Sequence, residues 1–141
     1  MIDTSPLSDD IGFLLTRAGT SMTQAATTAL APFDLRVRSY SVLALACEGE
    51  DGIGQRRIAE KLGLDPSQIV ALVDDLEDRG LISRTVDPDD RRHKRISATT
   101  AGRTLCADAQ HALGAVQAKI LNSLDDNAVR RLRRVLQSLV P

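Results

Sequence analysis

The run Gly63-Leu64-Asp65-Pro66 narrows the fold more than any other feature of the chain. It follows a short amphipathic segment, Gln55 to Leu62, whose apolar residues Ile58, Ala59 and Leu62 fall on one helical face. Glycine just past such a segment supplies the left-handed residue that closes a helix. Asp65 then offers an N-cap carboxylate, and Pro66 suits the first helical position, where its missing N–H costs nothing. Ile69, Leu72, Val73 and Leu76 form the apolar stripe of the second helix, and Gly80 ends it. Two short helices joined by a turn of about three residues form a helix-turn-helix.

The flanking segments extend this unit. Leu81 to Val86 reads as a strand, Asp87-Pro88-Asp89-Asp90 as a turn, and Arg91 to Ser97 as a returning strand. A β-hairpin directly after a helix-turn-helix is a wing. Upstream, Ser8 reads as the N-cap of a long helix with Asp9 and Asp10 in its first turn, and Pro32 ends it. Its apolar residues recur at Ile11, Leu14, Leu15, Ala18, Met22, Ala26, Ala29 and Leu30. A second helix runs from near Arg38 to Cys47, and Glu48 to Gly54 reads as a loop. Downstream, Thr99 or Thr100 caps a long helix to about Leu121, lined by Leu105, Ala109, Ala112, Leu113, Val116 and Ile120. Asp125 opens a last helix with Val129, Leu132, Leu136 and Leu139 on one face and Arg130, Arg131, Arg133 and Arg134 on the other. The expected fold is mainly α with a small β-hairpin wing: a winged helix-turn-helix with N- and C-terminal dimerisation helices. One domain spans 1–141, with 8–31 and 99–140 pairing against a second copy and 36–97 as the winged unit.

Composition supports a globular, non-membrane chain. Of 141 residues, 43% are apolar and only 2% aromatic, so aliphatic side chains and alanine fill the core. Base-stacking modules that need exposed rings are disfavoured. No apolar run approaches the roughly 18 residues of a membrane span, and Met1 to Pro6 lacks the pattern of a secretion signal. A cytoplasmic setting is expected. The formal net charge is −1, so any nucleic-acid footprint is local. Six basic residues, Arg79, Arg84, Arg91, Arg92, Lys94 and Arg95, stand against Asp87, Asp89 and Asp90 in the span from Arg79 to Arg95.

The run from Ile53 through Gly63-Leu64-Asp65-Pro66-Ser67-Gln68 to Arg84, the wing Asp87-Pro88-Asp89-Asp90-Arg91-Arg92 and the segment Thr99 to Arg103 together resemble the multiple-antibiotic-resistance regulator (MarR) family. The likeness follows the helix order over nearly the whole chain. Its most specific part is the Asp90-x-Arg92 turn placed seven residues before the capping Thr99. The resemblance implies a homodimer that binds a palindromic operator in double-stranded DNA and represses, with relief by a small ligand or an oxidant. The chain departs from the family where Val70, Ala71 and Asp75 replace Thr or Ser and basic residues, where Ala98 replaces Leu, and where Gly54 replaces a Ser or Thr cap.

A recognition helix reads base edges with its outward, N-terminal residues. After Pro66 these are Ser67, Gln68, Val70, Ala71 and Asp74. Gln68 can pair bidentately with adenine, and Val70 and Ala71 can touch a thymine methyl, which predicts an A·T-biased contact. Arg92 occupies the position that the resemblance assigns to the minor groove, where a narrow A·T tract attracts a guanidinium. Asp90 would hold the hairpin or orient an arginine. Arg91, Lys94 and Arg95 on the wing, and Arg56 and Arg57 at the start of the first short helix, are candidate phosphate contacts. For each of these the competing reading is a solvated charged surface.

The sensor is less legible. Phe13, Arg17, Tyr40 and His111 are candidate liners of a small-molecule pocket, though each such residue is more often core or surface than a ligand contact. Cys47 and Cys106 stand far apart in sequence, in no motif, and read as small core residues. His93 and His111 make no zinc spacing with them, so neither cofactor nor metal is expected. Enzyme readings fail for want of a nucleophile elbow or phosphate-binding loop. The remaining alternative is a winged-helix protein-interaction module without DNA binding, favoured by the acidic cluster Asp74, Asp75, Glu77 and Asp78.

Overall fold

The computed structural model describes residues 6–141, so the reading of Met1 to Ser5 as no part of a secretion signal lies outside the described residues. Six α-helices and a three-stranded antiparallel sheet follow in the order α1 (Ile11–Leu30), α2 (Val37–Cys47), β1 (Ile53–Gly54), α3 (Gln55–Leu62), α4 (Pro66–Asp78), β2 (Ile82–Val86), β3 (Lys94–Ala98), α5 (Thr100–Ile120) and α6 (Asp126–Leu139). The expected mainly α fold with its hairpin wing is present.

The helix-turn-helix forms as local chemistry requires. Gly63 adopts φ 63° and closes α3. Asp65 stands at the N-cap of α4 before Pro66: its backbone carbonyl accepts from Gln68 N–H at 3.0 Å, and its own N–H donates to Gln68 Oε1 at 3.1 Å, the Gln68 half of a capping box. Gly80, with φ 72°, turns the chain from α4 into β2. Thr99 is the cap of α5: its hydroxyl accepts from Gly102 N–H at 3.0 Å and donates to Gly80 C=O at 2.7 Å.

Three local expectations are corrected. Asp10 rather than Ser8 caps α1, its carboxylate accepting from Phe13 N–H at 2.7 Å, because Pro6–Asp9 forms a 3-10 turn of its own. Ile53 and Gly54, read as loop, form β1 and pair with Ile96 and Arg95 of β3. The returning strand starts at Lys94 rather than Arg91, which leaves residues 87–93 as the wing tip.

The core lies within the winged unit. Val42, Leu43 and Ala46 of α2, Ile58 of α3, Ile69, Val73 and Leu76 of α4, and Ile82 and Ile96 of the sheet are buried. Leu30 from the end of α1 and Cys106 and Ala109 from α5 complete it. Elsewhere the long helices are open. Ile11, Leu14 and Leu15 of α1, Ile120 of α5 and Val135, Leu136 and Leu139 of α6 are exposed in the single chain. Among the described residues no helix is long and apolar enough to cross a membrane.

Candidate nucleic-acid interface

The N-termini of α3 and α4 and the returning side of the wing converge. Gln55, Arg56, Pro66, Ile69, Arg92, His93 and Lys94 line a single concavity of about 420 Å³. The structure thus brings together residues from all three predicted groups: the start of the first short helix, the recognition helix and the hairpin. Gln55 was missed by sequence reasoning. Its side-chain oxygen is buried in this wall with no hydrogen-bond partner among the described residues.

The wing tip is organised by Asp90. Its carboxylate accepts from Arg92 Nε and Nη2, both at 3.1 Å, and from the Arg92 backbone N–H at 3.1 Å. His93 Nε2 lies 3.3 Å from the same carboxylate. These bonds, the Arg92 side chain first, hold the Asp90 carboxyl below its ordinary pKa and raise that of the guanidinium. Yet the Arg92 side chain is 87% exposed. A fork braced on one side and open on the other is aimed without being consumed, as insertion into a groove requires. Asp87 helps shape the turn, accepting from Asp89 N–H at 2.9 Å.

The other basic candidates divide. Arg91 and Lys94 are exposed, with no ion pair among the described residues. Arg95 is already engaged: its Nε and Nη2 donate to the carbonyls of Asp51 and Gly52, each at 2.9 Å, and Nη1 lies 3.7 Å from Asp87. It ties the wing to the α2–β1 connection, which competes with the phosphate contact expected of it. Arg56 and Arg57 are open at 79% and 61%, each only loosely paired with Glu60. Such exposed pairs exchange readily for a phosphate.

On α4, Ser67, Gln68, Val70, Ala71 and Asp74 all face solvent. Gln68 spends one acceptor site on its capping bond, leaving its amide N–H groups and a second lone pair for a base. Asp74 is not an isolated carboxylate: Arg84 of β2 bonds it and reaches Glu77 at 3.4 Å, and these bonds raise the guanidinium pKa. Arg79 likewise approaches Asp75 at 3.8 Å and donates to the carbonyls of Asp34 and Phe33, fastening α4 to the α1–α2 corner. The acidic cluster that favoured a protein-interaction module is therefore largely matched by arginines. Arg84 was readable only as a basic residue in a strand. The i,i+3 pair Asp74 and Glu77, facing the strand that follows, was the available signal.

The candidate pocket liners do not assemble. Of the five concavities described, none is lined by Phe13, Arg17, Tyr40 or His111. Phe13, Arg17 and His111 are exposed, while Tyr40 is half-buried, its phenol pKa raised chiefly by burial. Cys47 and Cys106, distant in sequence, meet between α2 and α5.

Comparison with known proteins matches this architecture. Residues 37–94 fit the model of the MarR family. A MarR-family transcriptional regulator from Rhodococcus sp. RHA1 superposes with a TM-score of 0.92 at 51% identity, over 97% of this chain and 96% of that one. CouR from Rhodococcus jostii RHA1, solved with p-coumaroyl-CoA, gives 0.89 at 52% identity with the same coverage. A CouR repressor bound to a 23-mer DNA duplex gives 0.87 at 29% identity, over 100% of this chain and 99% of that one. With likeness of this degree along its whole length, and with the reading helix and wing in place, the chain belongs to the MarR family of DNA-binding transcriptional regulators, which are not enzymes.

Proposed function

We propose that the chain is a homodimeric repressor that holds a palindromic operator through α4 and the wing and releases it on binding a small ligand. The observation that carries this reading is the wing-tip arginine, fixed by Asp90 yet open to solvent, beside the exposed start of α4. The 29%-identical CouR repressor bound to a 23-mer duplex supports double-stranded DNA as the partner. In this reading α4 enters the major groove with Pro66, Ser67, Gln68, Val70, Ala71 and Asp74 nearest the bases. Arg92 enters the adjoining minor groove, and Arg91, Lys94, Arg56 and Arg57 meet phosphates. Arg95 acts by bracing the wing.

The whole of 1–141 works as one unit. Ile11, Phe13, Leu14 and Leu15 on α1 and Val135, Leu136, Leu139 and Val140 in and after α6 are exposed apolar residues that a second copy would cover, leaving 36–97 free for DNA. The 52%-identical CouR bound to p-coumaroyl-CoA supports an acyl-CoA thioester as the effector. The protein would act in the cytoplasm, where its DNA is.

Selection of bound sequences from random duplexes tests this reading. The expected winner is a palindrome whose half-sites lie about one helical turn apart, released by added p-coumaroyl-CoA. Enrichment of no sequence would contradict DNA recognition. Enrichment with no release would remove the effector class alone.

A further inference from the structure

Cys47 and Cys106 are brought side by side by helix packing. Tyr40, Ala44 and Cys47 succeed one another at four- and three-residue steps on α2, and Arg103, Cys106 and Gln110 do so at three- and four-residue steps on α5. Each set therefore shares one face. The two faces meet where Ala44 and Cys47 of α2 and Cys106 and Gln110 of α5 line one concavity. Arg103 donates to the carbonyls of Cys47 and Gly49 at 3.1 and 3.2 Å, fastening the end of α2 to α5 beside the pair. This concavity of about 280 Å³ is lined by Arg103 as well and borders both cysteines. Cys106 is only 2% exposed, whereas Cys47 is half-buried. An oxidant entering the concavity meets the more exposed Cys47 before the buried Cys106.

We propose that Cys47 and Cys106 form an oxidisable dithiol that a hydroperoxide converts to an intrachain disulfide between α2 and α5. In the first step the Cys47 sulfur attacks the terminal peroxide oxygen. The O–O bond breaks, the alcohol (or water, from hydrogen peroxide) leaves with the thiol proton, and Cys47 becomes a sulfenic acid. In the second step the Cys106 sulfur attacks the Cys47 sulfur. The S–O bond breaks, and hydroxide leaves with the Cys106 proton as water. Two thiols lose two electrons and one peroxide gains them. Cys47, the more exposed of the two, is the first nucleophile; burial pushes the Cys106 thiol up to about 12, so it keeps its proton until it attacks Cys47. The bond would staple the core helix of the winged unit to the long helix that leaves it, and so restrict motion between the two.

The test is treatment of the full chain with hydrogen peroxide, followed by intact mass under denaturing conditions and peptide mapping. The expected product is a single chain lighter by about 2 Da, with a Cys47–Cys106 cross-linked peptide, reversed by a dithiol reductant. Its thermal midpoint should rise by roughly 10 °C, because a long loop is closed. Cys47→Ser, which leaves buried Cys106 in place, should abolish the mass loss. Cys106→Ala should leave Cys47 about 16 Da heavier instead. Chains linked to each other, Cys47 oxidised past sulfenic acid in the wild type with Cys106 untouched, or no reaction would each overturn the proposal.

Discussion

Gly102 sits in the first turn of α5, where that helix leaves the winged unit, and it is buried. A Cβ added there would stand 1.9 Å from the carbonyl oxygen of Leu81, 2.9 Å from its carbon and 3.3 Å from Leu43 Cδ1. An ordinary carbon–oxygen contact needs about 3.2 Å, so α5 and Leu81 must part by roughly 1.3 Å. The obstacle is backbone, and it is held: Leu81 C=O accepts from Thr99 N–H at 3.0 Å, and Leu81 N–H donates to Leu76 at 3.0 Å. Overpacking against such a group costs about 3 kcal/mol, the upper end of its usual range. Alanine returns about 1 kcal/mol of helix propensity, leaving Gly102→Ala destabilised by about 2 kcal/mol. For a chain of 141 residues the entropy of unfolding is about 0.3 kcal/mol per kelvin, so the midpoint should fall by roughly 7 °C. Gly114→Ala is the control. Its Cβ meets nothing within 4 Å, so the propensity gain should raise the midpoint by about 3 °C. Differential scanning calorimetry at one fixed protein concentration measures both. A Gly102→Ala protein as stable as wild type would refute the close approach of α5 to Leu81 on which this argument rests.

Four further outcomes follow from the interface. Asp90→Asn removes the charge that braces Arg92 and should weaken duplex binding roughly fivefold in fluorescence anisotropy. Because Arg92 holds the Asp90 carboxyl below its usual 3.8, the pair is complete above about pH 4 and is lost only as pH falls through the lowered value, so it should contribute no transition in DNA affinity between about pH 6 and 8. Arg84→Ala leaves Asp74 and Glu77 unmatched near the phosphates and should cost about threefold to tenfold in affinity, more at low salt, as a titration at two ionic strengths would show. Gln68→Ala removes half the capping box of α4, worth about 1 kcal/mol or about 3 °C in the midpoint. It should also relax any adenine preference in selected sequences, and an unchanged preference would show that the side chain serves only the cap.

The winged unit was legible because its signals are local. Gly63, Asp65 with Pro66, and Thr99 each act on a neighbour within four residues, and each adopts the expected role. Where two local signals compete, the sequence reading chose wrongly: Ser8 and Asp10 can both cap α1, and the turn started by Pro6 decides for Asp10. Gln68 was visible as a base reader, while its place three residues after Asp65 also marked the capping box it forms. What depends on distant partners was not legible. β1 is two residues long and exists only because β3 returns beside it. Arg95 is drawn to carbonyls at Asp51 and Gly52, and Arg84 is drawn to α4, by the closure of the sheet. Cys47 and Cys106 meet because α5 folds back on α2, a packing that no spacing between them encodes.

The central claim is that the braced wing arginine and the exposed start of α4 bind a DNA duplex. Its most direct test is the salt dependence of affinity for a selected duplex, in wild type and Arg92→Ala. The account predicts that log affinity falls linearly and steeply with log salt in the wild type, and that the substitution weakens binding and makes the slope shallower by about one. Equal affinity and equal slope for the two proteins would contradict it.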